Sequence, residues 1–261
     1  MKPNKLLGQH FLKNKKVIEI MIRAAKNEPA VEYVLEIGPG HGVLTRALAE
    51  KFKHVIAIEK DAWLAGELAK KLNTEKITNC KIIAGDILKI NFQKLLGKAP
   101  YAVIANIPYY LTGRLIRLLL ETKHRPSYII LMVQKEVAER ITAGPPEMNM
   151  LALSVQAFGK PRIMEHVSKK EFSPPPQVDS AIIKISGISE KFFVKNKISE
   201  KEFFAIIRAT FSQKRKRLAN TLAKFYGDKK IAEEKIKKTG LSKNARPQEL
   251  TLKKWLKLSD K

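Results

Sequence analysis

Cysteine is almost missing from this chain. Cys80 is the only one in 261 residues, so neither a disulfide framework nor a cysteine-based zinc site can form within one chain. The five histidines are scattered and lack ligand spacing, so no metal site is expected. Long apolar runs are missing too. The longest have strand length, well short of the roughly 20 residues that a membrane-crossing helix needs. The N-terminal stretch Met1-Lys-Pro-Asn-Lys-Leu-Leu7 holds no apolar segment of secretory-signal length. No membrane partner and a location in the cytoplasm are therefore the default expectations, and a reducing interior is compatible with the lone thiol. Negative charge is scarce: 25 Asp and Glu stand against 50 Lys and Arg, for a formal net charge of +25. The excess is spread along the chain and is not confined to a tail. A polyanion is the simplest partner for such a surface; mere solubility is the plain alternative.

What is present is an alternation of apolar strand-like runs and amphipathic helical segments. The apolar fraction of 44% suits a folded chain with a substantial core, in one domain or two. Residues 14–26 read as a helix capped by Asn14, with Val17, Ile18, Met21 and Ile22 on one face. Strands are expected at 32–37, 54–58, 80–84, 101–105, 128–133, 162–166 and 180–185. Helices fall between them at 43–52, 62–72, 112–121, 134–142 and 148–157. This order predicts βαβ units and a mainly parallel sheet. Near Gly187 the pattern changes to helices only, at 200–211, 214–225, 229–239 and 250–256, punctuated by Gly227, Gly240 and Pro247. The expected division is a catalytic α/β domain over 1–186 and a small, strongly basic helical domain over 187–261.

Candidate site residues follow the strands in order. Glu36-Ile-Gly-Pro-Gly-His-Gly42 leaves the first strand and opens a helix. Gly38 and Gly40 permit a tight turn and close approach of a ligand, and Gly42 permits close helix packing. The Gly-x-Gly-x-Gly spacing departs from the Gly-x-Gly-x-x-Gly of dinucleotide sites, which favours a cofactor with no pyrophosphate, such as S-adenosylmethionine. Glu59 closes the next strand, where an acid can accept from both ribose hydroxyls. Asp86 ends the third and suits an adenine amino group, or caps the following helix, or both. Asn106-Ile-Pro-Tyr109 ends the fourth. The Asn106 oxygen and a nearby backbone carbonyl can accept from an exocyclic amine, Pro108 fixes the backbone, and Tyr109 offers a face for a flipped base. Phe172 opens the Phe-Ser-Pro-Pro-Pro176 loop and is either a second clamp on that base or a core residue. Gln9-His-Phe-Leu12 is a candidate N-terminal lid, with His10 either on the cofactor or packed against a helix. The densest basic cluster is Arg208 with Lys214, Arg215, Lys216 and Arg217, read as a helix start able to straddle phosphates, or simply as a solvated face. Arg114, Arg117 and Arg140 are candidates for the same track.

These residues together resemble the ribosomal RNA adenine N6,N6-dimethyltransferase family, specifically its bacterial small-subunit type. The resemblance covers nearly the whole chain. It is carried by Gly8-Gln-His-Phe-Leu12, by Glu36–Gly42 with Leu44-Thr45, by Asn106–Tyr109, by Phe172-Ser-Pro-Pro-Pro-Gln-Val-Asp-Ser180, and by Phe211–Asn220 with Arg246-Pro247. It implies a Rossmann-like S-adenosylmethionine-dependent methyltransferase fold, α/β, with a mostly parallel seven-stranded sheet and a small all-helical C-terminal domain. It places the cofactor against His10, Leu12, Gly38, Glu59, Asp86 and Asn106, with Gln9, Gly40, Lys60 and Ile87 completing the set. The target adenine would lie between Tyr109 and Phe172. The implied reaction is dimethylation of each of two adjacent adenines near the 3′ end of small-subunit (16S) rRNA, within an assembling subunit and with no obligate protein partner. The chain departs from the family at Asn14, where Asp is usual, and over Gly144–Met150. The competing expectations are a large-subunit rRNA adenine-N6 methyltransferase, a DNA adenine-N6 methyltransferase, and a non-catalytic assembly factor on the same fold.

Overall fold

A computed structural model describes residues 10–213, 216–242 and 244–259. In chain order the elements are β1 (Phe11–Leu12), α1 (Lys15–Ala24), β2 (Tyr33–Ile37), α2 (Val43–Lys51), β3 (His54–Glu59), α3 (Ala62–Thr74), β4 (Cys80–Ala84), α4 (Phe92–Leu96), β5 (Tyr101–Asn106) and α5 (Thr112–Glu121). Then come β6 (Ile129–Gln134), α6 (Lys135–Thr142), α7 (Met150–Gln156), β7 (Lys160–Val167), β8 (Phe172–Ser173) and β9 (Ser180–Ser186). The remainder is helical: α8 (Lys191–Asn196), α9 (Glu200–Phe211), α10 (Leu218–Tyr226), α11 (Lys229–Lys238) and α12 (Leu252–Ser259). No helix among the described residues is long and apolar enough to cross a membrane.

Seven strands form one sheet in the order β4-β3-β2-β5-β6-β9-β7. The first five are parallel, while β9 runs antiparallel to both β6 and β7. The central strands are apolar on both faces because helices cover both. Val34, Leu35, Val103, Ile104 and the whole run Ile129–Val133 have no exposed surface, as buried parallel strands require. α1 shows the matching helical pattern: Asn14 caps it by accepting from the Lys16 N–H, and Val17, Ile18, Met21 and Ala24 form its buried stripe. The chain leaves β2 for β3 on one side, and β5 pairs on the other. Ligands collect at such a reversal, beyond the carboxyl ends of the strands.

The chain divides into two compact units. One comprises residues 1–138 with 160–188, and the other 139–159 with 189–261. A single cut at 186/187 therefore needs amending, because the excursion Glu139–Gly159 belongs with the helical unit. The reason lies in its own partners. The Met148 N–H donates to the Gln248 carbonyl at 3.1 Å, and the Ser189 N–H to the Phe158 carbonyl at 2.9 Å. The Phe158 ring packs 5.2 Å from that of Phe193 and 6.0 Å from that of Phe204.

A second, two-stranded sheet lies in the first unit. β1 pairs antiparallel with β8, aligning Phe11 with Ser173 and Leu12 with Phe172. The Lys13 N–H donates to the Glu171 carbonyl, and the Asn14 amide to the Glu171 carboxylate at 2.7 Å. The N-terminal strap is thus tied to the loop that carries Phe172.

Candidate active site

A cleft opens at the carboxyl ends of β2, β3, β4 and β5, lined by residues from His10 to Phe172. Its floor begins at the glycine turn after β2. Gly40 and Gly42 have φ of 56° and 78°, in the left-handed region that glycine alone enters freely. A Cβ on Gly42 would stand 2.2 Å from Leu68 Cδ1, so the bare backbone is what lets α2 approach α3. A Cβ on Gly40 would stand 2.9 Å from the Phe11 ring of the strap.

Glu59 ends β3 and is 7% exposed. One carboxylate oxygen accepts from the Gly40 N–H at 3.1 Å and the other from the Asp61 N–H at 3.0 Å. These bonds fix the carboxylate at the rim of the glycine turn, and each oxygen keeps a lone pair for a ligand. Asp61 is the cap of α3, accepting from the Trp63 and Leu64 N–H groups. Asp86 follows β4 and does two things. Its Oδ1 accepts from the Leu88 N–H, and its Oδ2 lies 3.3 Å from Lys60 Nζ. The Leu88 amide and, after it, Lys60 hold the Asp86 carboxyl below its ordinary range. Lys60, Asp86 and the buried Ile87 all line the cleft.

Asn106 ends β5 half-buried. Its amide nitrogen makes a long contact of 3.5 Å with the His10 carbonyl. Its Oδ1 accepts no hydrogen bond among the described residues, which leaves an unused acceptor on a residue that lines the cleft. Three residues on, the Tyr109 hydroxyl is 2.6 Å from Ser180 Oγ, and burial pushes its pKa up. The ring is therefore anchored and un-ionised. His10 stacks on it at 6.0 Å between centroids, with its Nδ1 2.8 Å from the Pro174 carbonyl. Phe172 lines the same cleft yet is only 3% exposed and sits in the core cluster with Leu12, Ile18 and Val167. Phe172 is thus a core residue that also forms part of the cleft wall. Gln9 lies outside the described residues.

Glu36 is a site residue that the sequence presented only as the start of a motif, without a role. It sits inside β2, lines the cleft, and is 2% exposed. Its Oε2 has no hydrogen-bond partner. Burial above all, with a smaller push from the Glu59 charge, raises its pKa from 4.5 to about 8; the nearby Thr45 hydroxyl, itself short of a hydrogen bond, offsets only part. Its position in the strand was the available signal, because an acid within an apolar run of a central strand is rarely left without a partner. The raised pKa has a stability consequence. Between pH 4.5 and 8 the folded chain holds a proton that the unfolded chain gives up, so stability falls as pH rises through this window. Glu36→Gln should match the wild type near pH 4 and be the more stable of the two at pH 9 without ligand. Denaturant titrations at both pH values check this, and parallel pH profiles would refute it.

The basic candidates fall in both units. Arg114 is exposed and lines the cleft, whereas exposed Arg117 is held by Glu121 at 2.9 Å. Arg140, Arg208, Lys216 and Arg217 are exposed residues of the second unit. Lys214 and Arg215 lie outside the described residues. The expected helix start at 214 is corrected: α10 begins at Leu218, and Lys216 and Arg217 precede it.

The sequence matches the family described as "Ribosomal RNA adenine dimethylase" over residues 1–261. The chain belongs to the ribosomal RNA adenine dimethylase family. Among curated members, "Ribosomal RNA small subunit methyltransferase A" of Dehalococcoides mccartyi is 38% identical over 260 residues, covering 99% of this chain and 88% of the relative. The protein of the same name from Clostridium botulinum is 39% identical over 261 residues, covering 98% and 93%. Of solved structures, a dimethyladenosine transferase from Plasmodium falciparum superposes with a TM-score of 0.80 at 30% identity, covering 95% of this chain and 96% of that one. A 23S rRNA methyltransferase shares the fold at a TM-score of 0.74 and 24% identity, covering 95% and 98%. This dimethylase is an α/β methyltransferase of Rossmann-like fold with a helical C-terminal part, as the sequence predicted.

Proposed function

We propose that this chain dimethylates N6 of two adjacent adenines near the 3′ end of small-subunit rRNA, in the assembling subunit, with S-adenosylmethionine as methyl donor. The observation that carries the chemistry is the unused Asn106 acceptor at the end of β5, beside the anchored Tyr109 ring. Membership in the dimethylase family supports an rRNA substrate, and the names of the similar bacterial proteins favour the small subunit over the large.

The lining residues fit such a donor. Glu36 offers a buried carboxyl oxygen with no partner, which an ammonium group would satisfy. Glu59 has lone pairs to spare for ribose hydroxyls, and Asp86 for an adenine amino group. Gly38, Gly40, His10, Leu12, Lys60 and Ile87 complete the lining. When bound, S-adenosylmethionine supplies a methyl group on a sulfonium, ready for direct transfer. Asn106 Oδ1 accepts from the exocyclic amine and so frees its lone pair, while Tyr109 and Phe172 hold the flipped base. The amine sheds its proton after attack, so no strong base is required. A covalent enzyme intermediate is not needed either. Cys80 is not among the lining residues, and burial pushes its thiol up to about 12.

Arg114, Arg117, Arg140, Arg208, Lys216 and Arg217 are the proposed phosphate-binding residues, with Lys214 and Arg215 beside them in sequence. Replacing Lys216 and Arg217 together by alanine should weaken RNA binding and lower the log–log salt slope by about 0.7–0.9 for each phosphate no longer neutralised. Turnover at saturating RNA should change little. RNA affinity measured across a salt series checks this, and an unaltered slope would make the pair a solvated face. The choice of substrate is tested by offering unmodified small and large subunits together with labelled methyl donor. Label confined to small-subunit rRNA is expected. Label in large-subunit rRNA would overturn the assignment, and absence of label from both would favour a non-catalytic assembly factor.

A further inference from the structure

In the proposed reaction one adenine at a time lies beside Asn106, and the substrate presents two in succession. While one adenine lies beside Asn106, its neighbour is without a stacking partner and needs a surface outside the pocket. We propose that Tyr110 is this surface: it stacks the neighbouring target adenine at the mouth of the cleft and thereby sets the order in which the two are methylated. The inference rests on the proposed function.

Tyr109 and Tyr110 are adjacent but live in different surroundings. Tyr109 is half-buried with its hydroxyl on Ser180. Tyr110 lines the same cleft, is 53% exposed, and makes no hydrogen bond through its hydroxyl among the described residues. The local backbone explains the split. Tyr109–Leu111 form a 3-10 turn, in which successive side chains diverge by about 120°. The two rings therefore point apart, Tyr109 held against Ser180 and Tyr110 exposed to solvent. A tyrosine with half its surface in water contributes little to packing, whereas its free face suits a base, since stacking on an aromatic tolerates any base.

Arg114 adds a second element. It stands in the first turn of α5, lines the cleft, is exposed, and has no ion-pair partner among the described residues. A guanidinium there can take the phosphate that joins the two adenosines. Arg117, one turn further on, is engaged by Glu121 instead.

The arrangement is one-sided, and RNA has a direction. Only one of the two registers places the waiting adenine on Tyr110; in the other register the neighbour leaves on the opposite side. Tyr110 should therefore affect the two adenines unequally. The test uses full-length protein and unmodified small subunits, with the methyl groups on each of the two adenines counted by mass spectrometry over time. Tyr110→Ala should shift the ratio of the two methylation rates by about tenfold, because the waiting base then has no ring to stack on. Tyr110→Phe should restore it, because the ring suffices. The ratio is internal to one RNA molecule, so a partly unfolded or generally slowed variant does not move it. An unchanged ratio in Tyr110→Ala, or Tyr110→Phe behaving like alanine, overturns the role of Tyr110 while leaving the proposed function standing. Failure of the wild type to modify adjacent adenines overturns both.

Discussion

Asn106→Ala should lower turnover by roughly 10²–10³-fold while leaving RNA affinity close to that of the wild type, the scale seen when one preorganised polar group is removed from a reacting centre. The side chain ends β5, where strand pairing with β6 holds its backbone in register with Met132. Its amide nitrogen contacts the His10 carbonyl, which leaves Oδ1 as an unused acceptor on the cleft lining. An acceptor there gains strength as positive charge develops on the attacking amine. It therefore serves the transition state more than the bound substrate. The proposed function assigns the RNA affinity to phosphate-binding residues elsewhere. Single-turnover rates and RNA binding curves on the same variant separate the effects, and parallel reductions in both would make Asn106 a positioning residue.

Glu59→Ala should weaken S-adenosylmethionine binding by about 1–3 kcal/mol through loss of charge-assisted hydrogen bonds. Some of that effect will come from the protein itself. The carboxylate holds the Gly40 and Asp61 N–H groups at once, so its removal leaves the glycine turn without the acceptor that shapes it. Glu59→Gln keeps an acceptor for one of these amides and should lie between wild type and alanine. Calorimetry on folded variants measures both. Unchanged affinity in Glu59→Ala would remove the residue from the cofactor site.

Much of this was legible in the chain because the sheet is buried on both faces. Runs such as Ile129–Val133 read as strands covered on both faces, and the residues that follow each run stand at strand ends, where the cleft forms. Asn14 was readable for the same local reason, since a cap acts within two or three residues of itself. What escaped depends on distant partners. β1 and β8 are two residues each, too short for any periodicity, and exist because Phe11 and Leu12 meet Ser173 and Phe172 across the fold. The Glu139–Gly159 excursion reads as two ordinary amphipathic helices, and only pairings such as Met148 with Gln248 assign it to the helical unit. The start of α10 was placed too early because Lys and Arg favour helix. The buried face begins only at Leu218, with Ala219 and Leu222. Glu36 showed only its setting, an acid within an apolar strand; that its Oε2 lacks a partner depends on the folded surroundings.

The most direct test of the account is the yield of N6,N6-dimethyladenosine in nucleoside digests of unmodified small subunits, incubated with S-adenosylmethionine and either the wild type or Asn106→Ala. The account predicts a stoichiometric product with the wild type and, at equal protein and time, a trace with the variant. Absence of dimethyladenosine with the wild type, or an undiminished rate with the variant, would contradict it.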